Sequence, residues 1–344
     1  MNSVGLFAPQ RHRTARMVAT QLETLAPGAA VSFDITFADR PKTGIAAHHL
    51  WWEAQDLAAL RTAGVFGFRH EEPALASEND EQDWSLWQAE YLLRQQQHSY
   101  RVSLFRRLDA VGVRLFNPPG VHERAFAKLS QLLALHRAGL AVPPVTLTNE
   151  HEEERALLAT RNDLLWRPAT GRGSWQRFRE RQCLALVQDT QAPVLLAPIV
   201  PGRLIRAWVV EGEIVLAAEF QPPGRHGLER LETFLPVTPG SWADGVRRAA
   251  AVLGSRWVLL LFVVGEGGEP VFYDVDCDPV LDTLPAVMGE QVAKGWALAL
   301  LDQREEIARL PPLAEGISCE RTTLFHRRML GILFDIEATK HEPL

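Results

Sequence analysis

Apolar residues along this chain follow two spacings in turn, and each change of spacing marks a new element. Residues 1 to about 118 read as alternating strands and helices. "SVGLFAP" is a short apolar run, and in "RTARMVATQLETLA" Met17, Val18, Leu22 and Leu25 share one helical face. "AVSFDIT" and "GVFGFRH" have the strand pattern. "DWSLWQAEYLLRQQQHSYRVSLFRRLDAVG" predicts a long amphipathic helix ended by Gly112, and "VRLFNPPG" a short strand stopped by Pro118 and Pro119. The alternation predicts an open α/β sheet.

A second helix is expected over "VHERAFAKLSQLLALHRAG", ending at Gly139, and then an extended "LAVPPVTLTN". "HEEERALLATR" predicts a short helix with acids in its first turn, where the helix dipole favours them. "DLLWRPATGRGSWQRF" reads as a strand, a glycine-bearing turn and another strand. "PVLLAPIVPGRLIRAWVVEGEIVLAAEF" predicts a strand, a turn at Pro201 and Gly202, and a hairpin through Glu211 and Gly212. After a helix in "SWADGVRRAAAVLG", the strands "RWVLLLFVV" and "VFYDVDCDP" form a second hairpin across "GEGGEP". The remainder is expected to be mostly helical, interrupted by "RLPPLAEG". No internal repeat or low-complexity tract is present.

Composition narrows the class. A chain of 344 residues with 47% hydrophobic content can bury a large core, and its length suggests about two domains. The net charge of −6 argues against nucleic acid as the main partner. Cys183, Cys277 and Cys319 are odd in number and far apart, which argues against a disulfide framework or structural zinc. The first residues lack the apolar core of a signal peptide, and no apolar run reaches membrane-spanning length. A cytoplasmic protein with no membrane partner is expected.

The second hairpin ends in "FYDVDCDPV", with Asp274, Asp276 and Asp278 on alternate positions. On a strand, alternate side chains share a face, so these acids crowd and repel unless a cation sits among them. Two readings stay open at this point: a metal site, or a solvated strand end.

The order of elements carries more information than any one motif. A helix with a lysine precedes an extended "VPPVT". Then come a strand with a basic residue and a glycine turn, a strand leading to a Gly-Arg hairpin, a helix, and a hairpin ending in acids. This order resembles the ATP-grasp superfamily, and within it the branch similar to glutathione synthetase and the ribosomal-protein glutamate ligase. The ATP-grasp maturases that close ester and amide rings in ribosomal peptides look like another close relative. The resemblance covers roughly residues 113 to 285. It implies an α/β fold with an N-terminal open-sheet domain over residues 1–118. An ATP-grasp domain over 119–310 follows, with lobes of about 119–195 and 196–310, and then a helical extension over 311–344.

The resemblance also implies roles. Lys128 would reach the nucleotide phosphates, and Arg167 stands where a second ATP lysine is usual. Gly171 and Gly173 would let backbone N–H groups approach phosphate. Arg206 matches the arginine that faces phosphate or acyl phosphate. Asp274 stands at the metal glutamate and Asp276 at the metal asparagine, so the implied cofactors are ATP and magnesium. An ATP-grasp ligase phosphorylates a carboxylate, and an amine or hydroxyl then attacks the acyl phosphate. Most of that catalysis is placement and electrostatics.

Four departures mark the chain. Arg167 keeps the lysine charge but is planar and bulkier. Ala197 replaces the hinge acid near the adenine and ribose, and Leu261 the metal aspartate of the preceding strand. Asp274 and Asp276 replace a glutamate and an asparagine. The bland reading of Lys128 is an exposed helix lysine, and that of Arg206 and Arg167 a pairing with a structural acid.

Three functions therefore compete. The first is an ATP-dependent ligase joining a carboxylate-bearing small molecule or peptide to an amine or hydroxyl. The second is a degenerate ATP-grasp scaffold serving another enzyme, and the third a sugar-nucleotide transferase with a DxD metal site. A homodimer or a partner enzyme stays open.

Overall fold

A computed structural model describes residues 3–37, 41–46, 49–68, 81–125, 127–149, 164–169, 175–177, 193–221, 229–281, 284–313 and 319–324. The chain opens with β1 (Ser3–Ala8), α1 (Arg13–Leu25) and β2 (Ala30–Asp34). A small antiparallel sheet follows, made of β3 (Thr43–Ile45), β4 (Leu50–Trp52) and β5 (Gln55–Asp56). Then come β6 (Leu60–Val65), α2 (Glu81–Ala110) and β7 (Arg114–Phe116). Strands β2, β1, β6 and β7 lie side by side in the open α/β sheet that the alternating pattern predicts, and all are parallel. Parallel strands need crossovers, and α1 and α2 supply two of them. Among the described side chains of α2, the deeply buried ones lie in its C-terminal part, at Leu104, Phe105 and Leu108, whereas Leu86, Leu92 and Leu93 are exposed.

The helix expected from Val121 to Gly139 is two helices. They are α3 (Pro119–Arg124), with proline at its first turn, and α4 (Lys128–Arg137). A second sheet, in the order β10-β9-β11-β8, contains β8 (Thr146–Thr148), β9 (Leu164–Pro168), β10 (Gln176–Arg177) and β11 (Val194–Pro198). The expected helix at 151–161 lies outside the described residues.

The largest sheet has six strands. β12 (Arg203–Val210) and β13 (Glu213–Gln221) form the expected hairpin. Glu211 and Gly212 both have positive φ, 53° and 84°, which matches the twist of a two-residue hairpin. Three further strands of this sheet are β14 (Glu229–Pro236), β15 (Trp257–Val264) and β16 (Pro270–Asp276), with α5 (Ala243–Leu253) between β14 and β15. The chain continues through α6 (Ala286–Leu300) and α7 (Arg304–Ala308) to β17 (Cys319–Leu324). The sheet order is β16-β15-β12-β13-β14-β17. Two points correct the sequence expectation. β14 was not foreseen, and residues 319–324, expected within a helical extension, form a strand paired with β14.

Two cores explain the nearly unbroken apolar reading of β12 and β15. One face of the large sheet, with Trp208, Leu216, Ala218 and Phe234, shares a core with α6, α1 and the first sheet. The other face, with Ile205, Ala207, Phe262, Phe272 and Val275, packs on α5 and α4. Strands covered on both faces need not alternate. Buried Asn117 ties this framework together. Its Nδ2 donates to the carbonyls of Trp257 (2.6 Å) and Cys277 (2.8 Å), and its Oδ1 accepts from the N–H groups of Arg256 and Trp257. This staple fixes the end of the acid-bearing strand.

Candidate active site

The break between α3 and α4 makes Lys128 the first residue of α4. Its side chain is not the exposed lysine of the bland reading, since the residue is only 6% exposed. The ammonium donates to the Val275 carbonyl at the end of β16 and stands 3.1 Å from Asp274 Oδ1. Arg167 comes from β9, in the second sheet, and is 1% exposed. Its Nη1 lies 2.6 Å from Asp274 Oδ2, and its guanidinium carbon 5.8 Å from the Trp175 ring centre. Two cations from two parts of the chain thus converge on one carboxylate.

Asp274, Leu261 and Arg206 are register neighbours on β16, β15 and β12. The apolar Leu261 separates the acid from Arg206, whose backbone lies roughly 10 Å away across two strand spacings. The Arg206 guanidinium sits 3.9 Å from the centre of the Phe220 ring and 5.8 Å from that of Phe234. Aromatic faces hold this cation on the same sheet row as the acid.

The three aspartates do not act as one cluster. Asp276 Oδ1 accepts the backbone N–H of Asp278 at 3.0 Å, a local turn contact. Asp278 is 5% exposed and accepts the N–H of Gly67, in the first sheet's end region, at 3.2 Å. Its role is to join the strand end to the N-terminal segment. Among the described residues, no group of three or more His, Cys, Asp or Glu is placed to hold a metal. Asp274 and Asp276 offer hard oxygen donors on one strand face. That donor set fits magnesium, which takes one or two protein carboxylates and fills its shell with water and phosphate oxygens.

Gly171 and Gly173 lie outside the described residues. Ala197 is buried and pairs in register with Leu165. The nearby Cys277 thiol is pushed up to about 11, chiefly by burial, with the Ser255 hydrogen bond opposing. A thiol of that kind is no nucleophile near neutral pH.

One residue of this region was not singled out in the sequence. Leu261 pairs with Asp274 and Phe262 with Phe272, so Tyr273 is an extra residue in a β-bulge. Bulges re-aim side chains. Tyr273 packs against Ala197 and Val263, and partly buried Leu261, Leu165 and Trp175 line the same cluster. Its hydroxyl donates to the Pro198 carbonyl at 2.6 Å and accepts the Val200 N–H at 2.8 Å. Trp175 Nε1 donates to the Tyr273 carbonyl at 3.0 Å. In the quoted motif Tyr273 signals only strand propensity.

No protein-family model matches the sequence, and no curated protein does so either. Solved structures do match. The ATP-grasp ligase PsnB, complexed with a phosphomimetic variant of a minimal precursor, Mg and ADP, is similar at a TM-score of 0.76 and 17% identity, covering 88% of this chain and 99% of that one. The macrocyclase MdnC from Microcystis aeruginosa MRC, bound with precursor peptide MdnA, gives 0.66 and 13%, covering 87% and 99%. A Chryseobacterium gregarium RiPP-associated ATP-grasp ligase, in complex with ADP and a leader and core peptide, gives 0.62 and 14%, covering 92% and 100%. The chain has the ATP-grasp fold.

Proposed function

We propose that this protein is an ATP-dependent ligase that activates a carboxylate as an acyl phosphate and joins it to an amine or hydroxyl, with a peptide as substrate. The observation that carries this reading is the convergence of Lys128 and Arg167 on Asp274. Two nearly buried cations held by one carboxylate make a site whose acid can turn to a metal while both cations turn to phosphate. Asp274 and Asp276 would hold magnesium, which would supply neutralising charge at the phosphate oxygens. Lys128 and Arg167 bind the phosphates, assisted by the backbone at Gly171 and Gly173. Arg206, across the row from Asp274, faces the activated carboxylate.

In this scheme the substrate carboxylate attacks the terminal phosphorus and ADP leaves. The amine or hydroxyl then attacks the acyl carbon, loses its proton and expels phosphate. The precursor peptide bound in a PsnB complex, and the leader and core peptide bound in the Chryseobacterium gregarium ligase, support a peptide as the acid or the acceptor. The scaffold reading rested on Leu261 and Ala197, and the charged trio beside them weighs against it. The ATP-grasp fold lends no support to the sugar-nucleotide transferase.

Calorimetry of Mg²⁺-dependent ATP binding tests the reading, with Asp274→Ala beside the native chain. Binding by the native protein that is lost in the variant is expected. Absence of binding by the native chain would overturn the proposal. ADP release on adding a carboxylate-bearing peptide then tests turnover.

A further inference from the structure

The segment Pro198–Val200 leaves β11 in the second sheet and leads to β12 in the large sheet. It therefore crosses between the sheets that supply Arg167 and Asp274. Along it, the Pro198 carbonyl is an acceptor and the Val200 N–H a donor, and both are turned to one atom, the Tyr273 hydroxyl. A phenol can fill both roles at once because its oxygen donates one hydrogen bond and accepts others. The surroundings are apolar, with Ala197, Val263 and Leu165 packed near the ring and Trp175 edge-on at 5.9 Å. An apolar pocket with a paired backbone donor and acceptor is the ordinary form of a site for a flat heterocycle. An amino group next to an unprotonated ring nitrogen, as on adenine, presents the matching edge. Here a planar side chain 3% exposed already sits on that edge.

We infer that Tyr273 is an internal occupant of the base-binding edge, so that a nucleotide's base must displace its hydroxyl from Pro198 and Val200. Tyr273 is then a specificity-determining and gating residue, and the bulge in β16 is what places it there. The inference rests on the ATP-binding reading above. It adds that the phosphate part and the base part of the site differ in availability. Lys128 and Arg167, nearly buried against Asp274, would meet a polyphosphate by exchanging that one carboxylate, whereas at the base edge a phenol must leave a backbone donor and acceptor.

The test measures binding of Mg·ATP and of Mg·tripolyphosphate, which has no base, to the native protein, Tyr273→Phe and Tyr273→Leu. Phenylalanine keeps the ring and its packing, so it guards against a variant that fails to fold. The expected result is ATP binding about tenfold tighter in Tyr273→Leu, which removes both the competing hydroxyl and the ring, with a smaller gain in Tyr273→Phe, which removes the hydroxyl and leaves the ring in place. Tripolyphosphate affinity stays unchanged in both. ATP binding that is unchanged or weaker in both variants, with tripolyphosphate still bound, overturns the gating role and leaves the ligase reading standing. Binding of neither ligand by any of the three proteins overturns both.

Discussion

Arg167 Nη1 and Asp274 Oδ2 lie 2.6 Å apart although their strands belong to different sheets. This pair, completed by Lys128, ties β9 to the acid-bearing end of β16. Removing one partner from a buried ion pair leaves a charge without compensation, a larger loss than the pair's net contribution.

Asp274→Asn leaves Lys128 and Arg167 facing a neutral amide. The expected cost is about 3 kcal/mol of folding stability. Sulfate or tripolyphosphate should then raise the melting temperature more in the variant than in the native chain, because an anion replaces the lost charge. Urea unfolding and thermal melts with and without the anion check this.

Arg167→Lys keeps the charge but loses the guanidinium approach to Asp274 Oδ2 and the contact with the Trp175 ring. About 1–2 kcal/mol of stability should be lost. Urea unfolding measures the loss. An unchanged midpoint would mean that charge alone matters at this position.

Arg206 separates a structural role from a functional one. Methionine can keep the packing on Phe220 and Phe234, so Arg206→Met should fold within about 1 kcal/mol of native. If Arg206 faces the acyl phosphate, turnover should fall by about 10²–10³. ATP-dependent ADP release measures the rate, and normal turnover would return Arg206 to a packing role.

His122 gives a pH dependence of stability. Burial lowers it from 6.5 to about 4, against a hydrogen bond with the Asn117 backbone that raises it. The unfolded chain therefore binds a proton that the folded chain refuses between these values. Stability should be constant with respect to this group above about pH 7 and fall as pH drops from 6.5 towards 4, by about 3 kcal/mol in all. Urea midpoints across that window test it, and His122→Phe should remove most of this slope.

The order of elements was legible because strand and helix periods are local properties of the backbone. β12, β13, β15 and β16 fall near their expected places, and so do α5 and both hairpins. Lys128 and Asp274 were legible as candidates because their positions follow that order. The split between α3 and α4 was less so, because "HERAFAKL" keeps helix-forming residues through the break. β14 and β17 went unread for a different reason. A strand that completes a sheet edge is defined by its partner, and those two partners are far apart in sequence.

The sequence by itself determined which residue types are near the site, the open α/β character of the first sheet and the apolar strands of the large one. Tertiary structure alone decided that Asp274 takes both cations, that Asp278 turns away to Gly67, and that Leu261 stands between Asp274 and Arg206. It also decided that one extra residue in β16 carries the Tyr273 hydroxyl to Pro198 and Val200. The physical reason is one of range. Side-chain spacing dictates the face a residue shares with its near neighbours, whereas a carboxylate's partner depends on which charges the packing of distant elements brings within about 4 Å.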